Sequence, residues 1–434
     1  MAPQFWNRKI ETMPRAELDA LKLKNLKSVV KRAYNIKFYR DEMKKSGLRP
    51  EEIKTLGDIR KLPFTTKDDL RKGTPFGMLA TKLDDCIELH ASSGTTGTPI
   101  TVAYTRKDIE IWSEVMARCL SMAGLTKKDI FQNPIPYGTF TGAFGFHYGA
   151  LKVGALTIPS GMGQSERQIN LMKYYGTTFI SGVVSYAAHL GQVAQSMGLN
   201  PAKDLKVRKG LFGSEMFTPG LKKKIADLWD MDVYDIYGLT EMCGPGVSTD
   251  CHIHDGLHLW EDHFFAECLD KNGDPVDAEE EGELVLTTLT KEGMPVLRFK
   301  THDLTFLYDE RKCECGRTHV KHAPIKGRTD DMLIISGTNV FPGQIESVLM
   351  KNEKVGLNYR ILLSRKGDMD KLAVEVESKE KMSAEEKAAL ERKLQNDLKI
   401  SLLLTPEVKI LEPGAIPKDT IKAKRVIDLR GEKS

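Results

Sequence analysis

Near the N-terminus, apolar residues recur at roughly helical spacing: Leu18, Leu21, Leu23, Leu26, Val29 and Val30. Residues 14–47 are therefore predicted to be helical. Farther along, short apolar runs alternate with longer mixed segments. Residues 155–158, 179–183, 209–212 and 233–236 predict strands, and residues 166–173, 186–197 and 219–228 predict the helices between them. Such alternation points to an α/β domain with a substantially parallel sheet. From Gly282 to Leu307 the pattern becomes β-rich. A boundary is expected at Asp330. Beyond it, residues 333–336, 357–363, 371–377 and 408–411 read as strands, and Ser383-Ala384-Glu385-Glu386 reads as a capping box that opens a long amphipathic helix. The expected architecture is α/β: a large N-terminal α/β domain with mixed sheets and a β-rich subdomain, followed by a small α+β unit of about a hundred residues, an ordinary size for an independent domain.

Composition changes this picture little. The 434 residues carry 64 Lys and Arg against 60 Asp and Glu, a net charge of +4 with the two signs interspersed. That balance does not call for nucleic acid. The basic stretch from Lys22 to Arg32 reads as a solvated helix face. Residues 1–13 lack the apolar core of a signal peptide, and no run reaches the length of a membrane span. A cytoplasmic protein is expected, with no membrane partner and with its seven cysteines unpaired.

Candidate chemistry begins at Leu89-His90-Ala91-Ser92-Ser93-Gly94-Thr95-Thr96-Gly97-Thr98-Pro99-Ile100. Five hydroxyls, two glycines and a proline stand between two β-prone runs. Glycines admit close approach of a ligand, and backbone N–H groups and hydroxyls suit phosphate oxygens. It is not a Walker loop, because no Gly-Lys-Ser/Thr opens a following helix.

The loop is followed, in order, by Tyr237-Gly238-Leu239-Thr240-Glu241, by Arg298 to Thr305, by Gly327-Arg328-Thr329-Asp330-Asp331 and by Ile416 to Lys422. This ordered series resembles the adenylate-forming acyl-CoA ligases. Trp260-Glu261-Asp262-His263-Phe264 and the stretch from Asp331 to Pro342 resemble the phenylacetate–CoA ligase branch. The resemblance runs from Trp6 to Arg430. It implies that an aryl carboxylic acid, phenylacetate-like, is activated by ATP to acyl-AMP and passed to coenzyme A. It implies an ATP- and acid-binding domain over residues 1–329 and a mobile domain over residues 330–434, hinged at Asp330 and carrying the catalytic Lys422. Ser92, Ser93, Gly94, Thr95 and Thr96 would hold phosphates. Thr240 would reach the α-phosphate, and Glu241 would ligate Mg²⁺, a cation bound through few protein oxygens. Gly213, Ser214, Glu215, Asp235, Ile236 and Tyr237 would grip adenine, and Asp303 and Arg328 the ribose. Two positions depart from the family pattern: Thr98 stands where a lysine is frequent, and Ile421 where a glycine usually precedes the lysine.

Cys313-Glu314-Cys315-Gly316 is a tight knuckle, and Cys251 has His252, His254 and His258 nearby. Thiolates with one imidazole suit a closed structural Zn²⁺ site. The resemblance favours His258 as fourth ligand; proximity favours His252 or His254. Cys86, Cys119, Cys243 and Cys268 read as free buried thiols. Tyr137, Phe140 and Phe144 could form a slot for a flat ring or belong to the core. Two other functions are weighed: adenylylation of a deazaflavin-type cofactor without thioester formation, and nucleotide binding without catalysis. A homodimer is left open.

Overall fold

A computed structural model of the chain describes residues 4–92, 99–309, 313–335, 338–366, 369–417 and 425–430. Its largest sheet has eight strands. In spatial order they are Leu156–Ile158, Ile130–Gln132, Phe179–Val183, Lys209–Gly213, Asp232–Leu239, Gly244–Asp250, Leu257–Leu259 and Lys321–His322. The first five run parallel. They are joined through the helices Thr141–Val153, Ser165–Tyr175, Val184–Ser196 and Pro219–Trp229, because a parallel pair needs a long crossover. The last three turn antiparallel through a hairpin. A four-stranded antiparallel sheet, Phe264–Leu269, Gly282–Thr288, Phe299–Thr305 and Gly327–Arg328, forms the β-rich part.

The N-terminal segment, expected to be helical over 14–47, forms two main helices, Arg15–Ala33 and Lys37–Lys45. Ile36 adopts an extended backbone and breaks the run. Lys22 lies buried against the body, so the basic stretch is not wholly a solvated face. Its ammonium donates to Glu261 Oε1 at 2.6 Å, and Arg15 pairs with the same carboxylate. Glu261 Oε2 also accepts from Val320 N at 2.7 Å, while neighbouring Asp262 is paired with Arg118 at 2.9 Å. The Trp260–Phe264 motif is thus an anchor for the N-terminal helix. Its carboxylates are held well below the usual range, because these cations outweigh the burial penalty.

The small unit has a hairpin, Leu333–Ile335 with Thr338–Val340, and a sheet ordered Glu407–Leu411, Met369–Ser378, Val355–Lys366, Val426–Asp428. The helix Ala384–Leu402 opens with the expected capping box, Ser383 accepting from Glu386 N. It buries Leu390, Leu394, Leu398 and Leu402 on one stripe. The small unit shares a continuous apolar core with the helical face of the large one, Ile225 and Trp229 in the same cluster as Ile345 and Leu349. Polar links cross the same seam. Thr218 donates to Glu346 Oε1 at 3.0 Å, and Lys224 donates to the carbonyls of Asn352 (3.0 Å) and Val355; within the small unit Tyr359 donates to Glu346 Oε2 at 2.7 Å.

Candidate active site

The strands Lys209–Gly213 and Asp232–Leu239 end at a cavity of about 740 Å³. Open α/β sheets characteristically bind ligands beyond the carboxyl ends of their strands. Gly213 closes one strand where no side chain fits: a Cβ there would stand 2.1 Å from Ile236 O. Ser214 follows with φ +68, a left-handed turn that directs the chain around the cavity rim. Ser214, Glu215, Asp235, Ile236 and Tyr237 all line the cavity. The carboxylate of Glu215 accepts from Ser185 N and Oγ at 2.8 and 3.0 Å, so its side chain braces the wall. Asp235 is pushed up to about 8 by burial and by the neighbouring Asp250.

One bonded group stands at the centre. Tyr237 donates to Asp303 Oδ2 at 2.5 Å, Arg328 Nη1 donates to Asp303 Oδ1 at 2.7 Å, and Arg328 grips Asp330 through Nε and Nη2 at 2.8 and 2.9 Å. The pairing of Asp303 with Arg328 across adjacent strands brings them together. Asp303 is 4% exposed, and burial raises its carboxyl in spite of Arg328. A buried carboxylate with one face turned to a cavity is suited to accept from two vicinal hydroxyls.

Thr240 and Glu241 line the same cavity and are buried, Glu241 to 6% exposure. Thr240 Oγ1 lies 3.4 Å from Thr141 Oγ1. Ser92 also reaches the cavity, and its Oγ accepts from Ile100 N at 2.9 Å, closing the base of the hydroxyl-rich loop. Ser93, Gly94, Thr95, Thr96 and Thr98 lie outside the described residues, as do Ile421 and Lys422. Of the aromatic trio, Phe140 lines this cavity. Tyr137 packs edge-on against Phe144, with ring centroids 5.3 Å apart, and its hydroxyl accepts from Asn133 Nδ2 at 2.9 Å.

Arg298, quoted with the Asp303 block, lies away from this centre in function: its guanidinium makes a buried bidentate pair with Glu267 at 2.9 Å and packs over Phe64. The pattern of residues alone did not indicate that Glu346, Tyr359 and Arg425 of the small unit also wall the cavity. Only Arg425, close to the Ile416–Lys422 block, carried a positional hint.

A second centre lies behind the first. Cys251, His258, Cys313 and Cys315 are buried, and their ligand atoms all lie within 4.8 Å of one another. Cys251 Sγ is 3.8 Å from Cys313 Sγ, and Cys315 Sγ is 3.4 Å from His258 Nε2. His258 Nδ1 faces His319 O at 3.4 Å, which leaves Nε2 free to act as a ligand. His254 is engaged elsewhere, 2.8 Å from Asp250 and 3.0 Å from Lys222. Hydrogen bonds from the other two thiols push Cys315 far down toward thiolate. The other four cysteines are free, but Cys86 is only partly buried, contrary to expectation.

Comparison with known proteins identifies the family. The AMP-binding enzyme family model matches residues 17–289, and the AMP-binding enzyme C-terminal domain matches residues 337–430. A phenylacetate-coenzyme A ligase of Aromatoleum evansii is 42% identical over 97% of this chain and 96% of its own. A crystal structure of 2-hydroxyisobutyryl-CoA ligase in the postadenylation state, in complex with R3-HIB-AMP, superposes with a TM-score of 0.91 at 27% identity, covering 98% of this chain and 92% of that one. The same enzyme with 2-HIB-AMP and CoA in the thioesterification state gives 0.72 at 28% identity, covering 98% and 93%. The arrangement of the two units here thus resembles the former state. No helix among the described residues is long and apolar enough to cross a membrane.

Proposed function

The chain belongs to the AMP-binding enzyme family, and from that premise we propose that it is an AMP-forming phenylacetate–CoA ligase. A carboxylate oxygen of the acid attacks the α-phosphorus of ATP, and pyrophosphate leaves. The thiolate of CoA then attacks the carbonyl carbon of the acyl-AMP, and AMP leaves. The observation that carries this reading is the Tyr237–Asp303–Arg328 group beside Thr240 and Glu241 in one cavity, in a chain 42% identical to such a ligase over nearly its full length. The test is a panel of aryl and aliphatic acids assayed for pyrophosphate and AMP with and without CoA. Pyrophosphate release with no CoA-dependent release of AMP would move the reading to an adenylyltransferase; no pyrophosphate with any acid would leave a nucleotide-binding protein.

Each side chain has a role in this scheme. Asp303 accepts from the ribose hydroxyls and Arg328 holds Asp303 in place. Tyr237 presents its ring to adenine, with Gly213 to Glu215 and Asp235 to Ile236 at the base edge. Thr240 donates to the α-phosphate, and Ser92 to Thr96 cradle the outer phosphates. Phe140, Tyr137 and Phe144 shape the slot for the acid. Glu241 offers a hard oxygen with hydroxyl neighbours, a set that fits Mg²⁺; there the ion would neutralise phosphate charge. The three thiols and His258 fit Zn²⁺, which would have no open position and would serve structure. Thiols held reduced suit a cytoplasmic setting.

Residues 330–434 rotate about Asp330 between the two steps. Asp330→Pro fixes φ near roughly −65°, so acyl-AMP should still form while thioester formation fails. Asp330 also pairs with Arg328, so Asp330→Ala, which loses the ion pair alone, is the control. Measuring the half-reactions separately decides the matter: a proline variant that matches the alanine variant in both rules Asp330 out as the hinge.

Metal analysis should find about one zinc per chain, as a single four-ligand site requires. Cys313→Ser should lower zinc content and melting temperature together, because binding is coupled to folding. Adenylation should decline only with the folded fraction. Metal-free protein with an unaltered melting curve would remove zinc from the scheme.

A further inference from the structure

Lys291 follows the strand Gly282–Thr288 and is 6% exposed. Its ammonium donates to Glu241 O at 3.1 Å and to Met242 O at 2.6 Å, and stands 5.1 Å from the centroid of the Tyr104 ring. Asp108 holds the adjoining loop, accepting from Glu292 N at 2.6 Å and Gly293 N at 2.9 Å. Burial lowers Lys291 to about 8, with Asp108, Cys243 and Glu241 opposing the shift. Burying an ammonium is costly unless its hydrogen bonds are satisfied. Here they converge on two successive carbonyls of the turn that carries Glu241.

We propose that Lys291 is a positioning residue for the metal-binding carboxylate. By fixing the backbone of Glu241 and Met242 from behind, it sets the direction in which the Glu241 side chain enters the cavity. The proposal rests on the reading of Glu241 as the Mg²⁺ ligand. A partner one step removed from a metal typically alters affinity by roughly 10- to 100-fold when lost.

The test uses the full chain with an ATP analogue that cannot be cleaved between the α- and β-phosphates. Mn²⁺, standing in for Mg²⁺, is titrated in and read by electron paramagnetic resonance. The Mg²⁺ requirement of adenylation is measured beside it. Lys291→Met should weaken Mn²⁺ binding and raise the Mg²⁺ requirement by roughly 10- to 100-fold. The KM for the acid and the rate of thioester formation from supplied acyl-AMP should not move. A merely structural lysine would lower melting temperature without shifting the metal requirement. Glu241→Gln is run in parallel. If it weakens Mn²⁺ binding and Lys291→Met does not, the role of Lys291 is overturned and that of Glu241 stands. If Glu241→Gln leaves Mn²⁺ binding untouched, the metal reading of Glu241 falls first. Should Lys291→Met not fold, Lys291→Gln keeps a donor without the charge and is expected to shift the metal requirement in the same direction.

Discussion

Lys422→Ala is expected to slow acyl-adenylate formation by about a hundred- to a thousandfold, the scale seen when one charge-stabilising donor is removed from a transition state. Thioester formation from supplied acyl-AMP should remain largely intact. Adenylation brings a carboxylate against an α-phosphate, two anions that repel, and a cation between them offsets the charge as pyrophosphate departs. Arg425, three residues beyond Lys422, lines the nucleotide cavity. On the other side Ile416 is pinned, its N–H donating to Glu377 Oε1 at 2.8 Å. Once acyl-AMP exists, the second step would need no such cation, because in the proposed rotation the small domain turns another face to the site. Separate assays of the two half-reactions check this. Equal losses in both would strip Lys422 of the role.

Asp303→Asn should raise the KM for ATP by roughly ten- to a hundredfold. Hydrogen bonds to a charged group contribute about 1.5–3 kcal/mol each, and about 1.4 kcal/mol is tenfold in affinity. The amide keeps the size of the carboxylate but can accept at only one atom, so one ribose hydroxyl loses its partner. The substitution also weakens the hold on Arg328, which then relies on Asp330. Some loss of thermal stability is therefore expected, and binding of AMP measured by calorimetry separates the two effects. An unchanged ATP KM in a folded variant would move the ribose elsewhere.

Much of the parallel sheet was legible in the amino-acid pattern. Residues 179–183 match the strand Phe179–Val183, and 209–212 and 233–236 fall inside Lys209–Gly213 and Asp232–Leu239, because strands buried on both faces read as continuous apolar runs. The antiparallel extension beyond them was not. Its strands Gly244–Asp250 and Leu257–Leu259 are rich in Gly, Ser, Thr, Asp and His, residues whose burial depends on partners supplied by the fold. The break at Ile36 was hidden because the apolar spacing continues through Tyr39 and Met43. The buried place of Lys22 depended on Glu261, 239 residues away. Lys291 was silent for the same reason, since its two acceptors lie about fifty residues upstream, and a single lysine after a strand ordinarily points to solvent.

The seam between the two units has a further consequence. Glu346 is shared: Thr218 holds one oxygen from the large domain and Tyr359 holds the other from the small domain. If the domains part as proposed, Tyr359 would leave with Glu346, so that carboxylate would keep a donor and lose only the one that water can replace. Lys224, lowered to about 8 by burial in the joined arrangement, would regain hydration, and the two carbonyls it releases would face water as well. In the proposed rotation water would meet the polar groups of the seam, while the apolar contact of Ile225 and Trp229 with Ile345 and Leu349 would have to be uncovered. The joint would therefore part with its polar groups satisfied and with its apolar contact as the main resistance. Its release should be gated by solvent entering the seam, and turnover should fall as the medium is made more viscous.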